Sequence, residues 1–79
     1  MNLPRDLDAP KFIKALRKLG YETTRQSGSH IRLTTQQNGQ HHITIPNHDP
    51  LKIGTLNAIL TEVAQHLGVS KQELVESLF

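Results

Sequence analysis

The sequence has no cysteine. That excludes a disulfide framework and a thiolate metal site, so any core has to hold by packing alone. It also has no apolar segment near the roughly 20 residues that span a bilayer as a helix. The N-terminus, MNLPRDLDAP, carries acids and a proline where a secretory leader needs a continuous apolar stretch. A soluble, intracellular protein is expected, cytoplasmic and without a membrane partner. No internal repeat, linker or low-complexity tract divides the 79 residues. Such a length encloses one small core, burying roughly 60 to 65% of the unfolded surface. A single domain over residues 1–79 is therefore expected, too small for a multistep enzyme with its own cofactor domain, and no cofactor is expected.

Charge is also sparse. The net value of +2 is too small to mark a nucleic-acid binder, but its distribution is uneven. Residues 1–32 carry seven bases (Arg5, Lys11, Lys14, Arg17, Lys18, Arg25, Arg32) against three acids (Asp6, Asp8, Glu22), which gives +4. Residues 53–79 carry Lys71 against Glu62, Glu73 and Glu76, which gives −2. One end suits a polyanion. Equally, Lys11, Lys14, Arg17 and Lys18 suit the solvated side of a helix.

What is present is strongly patterned. In DAPKFIKALRKLG, Asp8 is placed to cap and Pro10 suits a first turn. Ala9, Phe12, Ile13, Leu16 and Leu19 recur at helical spacing before Gly20. YETTRQ reads as a short strand, and SHIRLTT and HHITIP as strands with alternating apolar residues. The intervening QQNGQ resembles a two-residue Asn-Gly hairpin, yet that register would set Leu33 opposite Thr44, a core residue across from a surface one. A three-residue loop, Gln37 to Gly39 with Gly39 left-handed, instead pairs Leu33 with Ile43 and Ile31 with Ile45. Past Pro46, NHDPLKIG is a loop or helix entry. TLNAILTEVAQHLG then aligns Leu56, Ile59, Leu60, Val63 and Leu67 before Gly68. Ser70 and Glu73 form a capping box for a last helix, with Val69 and Leu74 spaced as a hydrophobic staple. The order α-β-β-β-α plus a short C-terminal helix implies an α+β fold, with helices on one face of a three-stranded antiparallel sheet.

The other face of that sheet is left open. If Ile31, Leu33, Ile43 and Ile45 point inward, period-two geometry turns His30, Arg32, Thr34, His42 and Thr44 outward. His30 falls opposite Pro46, which brings the loop carrying His48 within reach. Histidine titrates at about pH 6.5 when unperturbed, so it can take and return a proton at neutral pH. Arg32 can neutralise a phosphate, and the small residues Gly28 and Ser29 let a substrate backbone approach His30. A lone strand histidine is nevertheless more often a plain surface or hydrogen-bonded residue. His41 and His42 are adjacent and face opposite sides, and His66 has no helical partner at i±3 or i±4, so no metal site is expected. Lys52, Gly54 and Thr55 near a helix start would offer an anion an ammonium, backbone N–H groups and a hydroxyl. They fit close packing and capping equally well. For Asp49 and Pro50 the turn reading suffices.

Taken in order, GYETTRQSGSHIRL, HHITIPNHDPLKIGTLNAIL and LGVSKQELV resemble the HicA toxin family of bacterial type II toxin–antitoxin systems. Gly-Ser-His alone is a weak signature. Gly20-Tyr21, Gly28-Ser29-His30, Pro46-Asn47-His48 and Gly54-Thr55-Leu56 at these separations are specific, and the likeness covers nearly all the chain after residue 8. It implies a double-stranded-RNA-binding-domain-like fold and an mRNA interferase inhibited by a HicB-type antitoxin, with the catalytic histidine at His30. Two departures stand out. Residue 27 is serine where lysine is common, and the stretch Thr61 to Leu67 is about a turn longer than in compact members.

The expected chemistry is metal-independent endoribonuclease action on mRNA. His30 serves as general base on a ribose 2′-OH, and Arg32 or the Lys52 to Thr55 region stabilises the developing charge. His48 is the first candidate for the acid, His42 the second. General acid–base help of this kind is worth on the order of 10² to 10⁴ in rate. The alternatives are a non-catalytic RNA-binding module of the same fold and a protein-interaction domain whose polar sheet face receives a partner.

Overall fold

The computed structural model describes residues 3–79. The elements run α1 (Ala9–Leu16), a 3₁₀ turn (Arg17–Leu19), β1 (Glu22–Ser27), β2 (His30–Thr35), β3 (His41–Pro46), α2 (Ile53–Leu67) and α3 (Lys71–Leu78). The strands form one antiparallel sheet in the order β1-β2-β3, as the element order implied.

The helix ends follow from single residues. Asp8 caps α1 by accepting the Lys11 N–H at 2.8 Å. Its C-terminal end tightens into the 3₁₀ turn and closes on left-handed Gly20 (φ 82°). The Tyr21 N–H donates to Leu16 O and the Gly20 N–H to Arg17 O, which satisfies two carbonyls that the helix leaves free. At the end of α2 the Val69 N–H donates to Ala64 O and the Gly68 N–H to Gln65 O in the same pattern. Ser70 caps α3 by accepting the Glu73 N–H at 3.1 Å. Of the two residues spaced as a staple, Leu74 is buried and Val69 is 39% exposed. As the residue just past the α2 cap, Val69 is held by that earlier turn.

The core lies between the sheet and the helices. Ile31, Leu33, Ile43 and Ile45 meet Phe12 and Leu16 of α1 and Leu56, Leu60 and Val63 of α2, all buried, and α3 adds Leu74, Val75 and Leu78. Each such side chain contributes about 1.5 to 3 kcal/mol of transfer free energy. The registers Ile31 with Ile45 and Leu33 with Ile43 match the parity reasoning.

Two expectations need correction. Tyr21, assigned to the first strand, precedes it and is fully buried. The β2–β3 connection is longer than three residues: pairing stops at Thr35 with His41, leaving residues 36–40 as the turn. Gly39 is left-handed as expected (φ 93°), but so is Asn38 (φ 58°). The polar groups of this turn are drawn to tertiary partners. Thr35 Oγ1 accepts the Gln37 N–H and donates to Leu19 O, each at 3.0 Å. Asn38 Nδ2 donates to His66 O at 2.7 Å.

Strand β1 is exposed along its whole length. It is an edge strand with no apolar residue to bury, and a bulge between Thr23 and Arg25 interrupts its pairing. Charge and a bulge both discourage a second chain from adding to such an edge.

Candidate active site

The face of the sheet away from the helices carries the expected set. His30, Arg32, His42 and Thr44 are exposed and Thr34 is half-buried, while the alternating Ile31, Leu33, Ile43 and Ile45 are buried. Cross-strand pairing arranges them in rows. Ser27, His30 and Pro46 form the first row, Arg25, Arg32 and Thr44 the next, and Glu22, Thr34 and His42 the third.

His30 opens β2 directly after the tight turn of Gly28 (φ 56°) and Ser29. No heavy atom lies within 4 Å of where a Gly28 Cβ would stand, so the approach on that side is open. The loop after β3 is fastened to the same end of the sheet. The Asn47 N–H donates to Ser29 O at 2.6 Å, and His48 O accepts the Ala9 N–H at 3.3 Å. His48 is thus the second residue beyond His30's partner Pro46, with its backbone fixed between β3 and the start of α1. His42 is not brought there. It lies four residues along the strand direction, roughly 13 Å from the His30 row. Its Nδ1 instead pairs with Thr34 Oγ1 at 2.7 Å, and Thr34 Oγ1 lies 3.0 Å from Thr24 Oγ1.

Residues 47–52 lead from this end of the sheet into α2, whose N-cap is Lys52. No side chain caps the helix, and a Cβ on Gly54 would meet nothing within 4 Å. The packing and capping readings of Gly54 and Thr55 therefore lose their structural support. Lys52 and Gly54 are exposed and Thr55 is half-buried. Lys11 and Lys14 of α1 and Arg17 and Lys18 of the 3₁₀ turn are exposed.

The remaining histidines form a cluster on the helix side of the sheet that spacing did not reveal. His41 and His66 stack with ring centroids 4.4 Å apart. Tyr21 Oη lies 2.7 Å from His41 Nδ1. Burial, and then the charge of Glu62, push the Tyr21 phenol up to about 12. It therefore stays protonated at neutral pH, and on the other side of the ring His41 Nε2 lies 3.9 Å from Glu62. Burial, followed by the neighbouring charge of His66, lowers the His41 pKa below its ordinary value. His66 Nε2 faces the carbonyls of Gln37 and Gly39 at 2.9 and 3.0 Å. The cluster is structural in its contacts, tying the β2–β3 turn to α2. Only its buried tyrosine and the position of His41 on the core-facing parity hinted at it. Among the described residues no group of three His, Cys, Asp or Glu side chains is placed to hold a metal ion, and no helix is long and apolar enough to cross a membrane.

A family model described as HicA toxin of bacterial toxin-antitoxin matches residues 9–65. The chain belongs to the HicA toxin family. The match runs from the first residue of α1 to near the end of α2, so it includes His30, Arg32, His42, His48, Lys52, Gly54 and Thr55 and leaves α3 outside. No curated protein and no solved structure was found to match it. The family places the chain in a bacterial toxin–antitoxin system, and the three-stranded α+β architecture accords with the fold expected from the resemblance.

Proposed function

We propose that this HicA family member is an endoribonuclease that cuts mRNA in the cytoplasm and is neutralised by a HicB-type antitoxin. The supporting observation is the placement of His30: an exposed imidazole on an open, polar sheet face, beside a turn without bulk. There a ribose and its phosphate can approach. His30 accepts the 2′-OH proton as the 2′ oxygen attacks the adjacent phosphorus. The bond to the 5′ oxygen breaks, leaving a 2′,3′-cyclic phosphate on one fragment and a 5′-hydroxyl on the other. The 5′ oxygen takes up a proton as it leaves, and His48, fixed at the same end of the sheet, is the group to supply it. The Lys52 to Thr55 turn offers an ammonium and backbone N–H donors to the phosphate as its charge grows, while Arg32, one row along the sheet from His30, adds positive charge for the RNA backbone. The base and the acid both come from the chain, so no step passes through a metal ion.

The test uses purified protein and its His30→Ala variant with single-stranded RNA in chelator, with the fragment ends identified. The native chain should yield cyclic phosphate and 5′-hydroxyl ends, and the variant should lose 10²-fold or more, on the order of a full acid–base contribution. Undiminished cutting by the His30→Ala variant defeats the assignment. Binding without cutting by either protein would instead mark a non-catalytic RNA-binding module.

A further inference from the structure

Strand β1 begins in plain register, with Glu22 opposite Thr34 and Thr23 opposite Leu33. Continued, that register would set Thr24 opposite Arg32 and Arg25 opposite Ile31, turning Arg25 toward the helices. The bulge inserts one residue. Arg25 then stands opposite Arg32, and Ser27 opposite His30. Thr24 remains on the open face, where its hydroxyl joins the Thr34 and His42 chain. The irregularity thus puts two arginines side by side in the row next to His30.

Like charges directly opposite on neighbouring strands destabilise the pairing. Here neither is neutralised by the protein: among the described residues the one ion pair is His41 with Glu62, on the other face of the sheet. Glu22 shares the open face, opposite Thr34, and forms no ion pair with either arginine. Two exposed arginines set opposite each other without a counter-charge can converge on an anion, and their planar donor sets suit phosphate oxygens.

We propose that Arg25 and Arg32 form a fork for one phosphate of single-stranded RNA, next along the strand from the phosphate acted on at His30. The proposal rests on the reading of the chain as a ribonuclease acting through His30. Arg32 lies two residues from His30, roughly 6.6 Å along the strand. That step is comparable to the distance between successive phosphates of an extended single strand. Thr44 stands at the β3 end of the arginine row, and Ser27 lies in the His30 row beside it. An acidic protein surface is the less suitable ligand, because the outward positions of β2 and β3 offer only the half-buried Pro46 and none of the aromatic or large aliphatic anchors on which protein interfaces depend.

The test uses full-length protein carrying His30→Ala, so that RNA is bound and not cut, with a labelled single-stranded oligoribonucleotide titrated at several salt concentrations. Arg25→Gln and Arg32→Gln should each weaken binding about tenfold and flatten the dependence of log affinity on log salt by about 0.7. Lys71→Gln, on α3, should change neither. Arg25→Lys should keep the salt slope and lose affinity, since an ammonium cannot grip two oxygens in a plane. Without RNA, Arg25→Gln should melt no lower than its parent, because it removes one of two like charges set opposite each other. Parental affinity and slope in Arg25→Gln, with weakening in Arg32→Gln, overturns the fork and leaves the ribonuclease reading standing. Unchanged RNA binding with lost poly-glutamate binding also overturns it, assigning the pair to an acidic protein. If the unmodified chain cuts no RNA and the His30→Ala protein binds none, both proposals fall.

Discussion

Gly20 is the position where a single methyl group should do most damage. Its φ of 82° is left-handed, a conformation that costs a residue with a Cβ roughly 1 to 2 kcal/mol. A Cβ there would also stand 2.8 Å from Thr35 Oγ1. Thr35 is only 1% exposed and its hydroxyl joins Leu19 O to the Gln37 N–H, so it cannot swing aside without breaking those bonds. Losing those bonds adds about 1 to 3 kcal/mol. Gly20→Ala should therefore cost about 2 to 5 kcal/mol, a large part of the roughly 4 to 12 kcal/mol available to a chain of this size. Gly28 is the control. It too is left-handed, at φ 56°, but its Cβ would meet nothing within 4 Å, so Gly28→Ala should cost only the backbone share. Urea unfolding followed by far-ultraviolet circular dichroism measures both, and the difference isolates the collision with Thr35. Equal midpoints for the two variants, at unchanged slope, would refute the reasoning. Thr35→Ala should cost less in the Gly20→Ala background than on its own, because the collision has already disturbed its bonds.

Further outcomes concern proton and substrate. Because the folded His41 pKa is lowered, the unfolded chain binds the proton more readily: this contribution to stability is full above about pH 6.5 and is lost as pH falls through the lowered folded value. The urea midpoint should fall between pH 7 and 5.5, and less so in His41→Gln; a flat native profile contradicts the burial argument. Tyr21 acts in the opposite sense, its contribution holding below pH 10 and disappearing as pH rises through about 12, which alkaline unfolding of Tyr21→Phe should lack. His48→Ala should slow RNA cleavage by about 10²-fold. His42→Ala should stay within about threefold of native, since its row lies roughly 13 Å from His30; the reverse ranking would reject His48 as the acid. Gly54→Ala meets open space inside a helix and should stabilise the fold by about 0.5 to 1 kcal/mol. It should nevertheless slow cleavage if backbone at that turn approaches phosphate; unchanged rates would remove Gly54 from the site.

The sequence by itself determined what depends on local period and local hydrogen bonding. Asp8, Gly20, Gly68 and Ser70 mark helix ends because a cap is a contact among near neighbours. The alternation from His30 to Thr35 and from His41 to Pro46 decided which side chains face water, and parity then decided the register between those strands. His30 was legible for that reason, as was its placement opposite Pro46. Tertiary structure alone decided the rest. A bulge arises from how two strands settle against each other, so nothing in ETTRQS announces that Arg25 joins Arg32. The Asn47 to Ser29 bond and the stacking of His41 on His66 join residues far apart in the chain. Such contacts form only after the core has brought the segments together, and desolvation then sets how strongly they act; neither effect leaves a period for the eye to find along the chain.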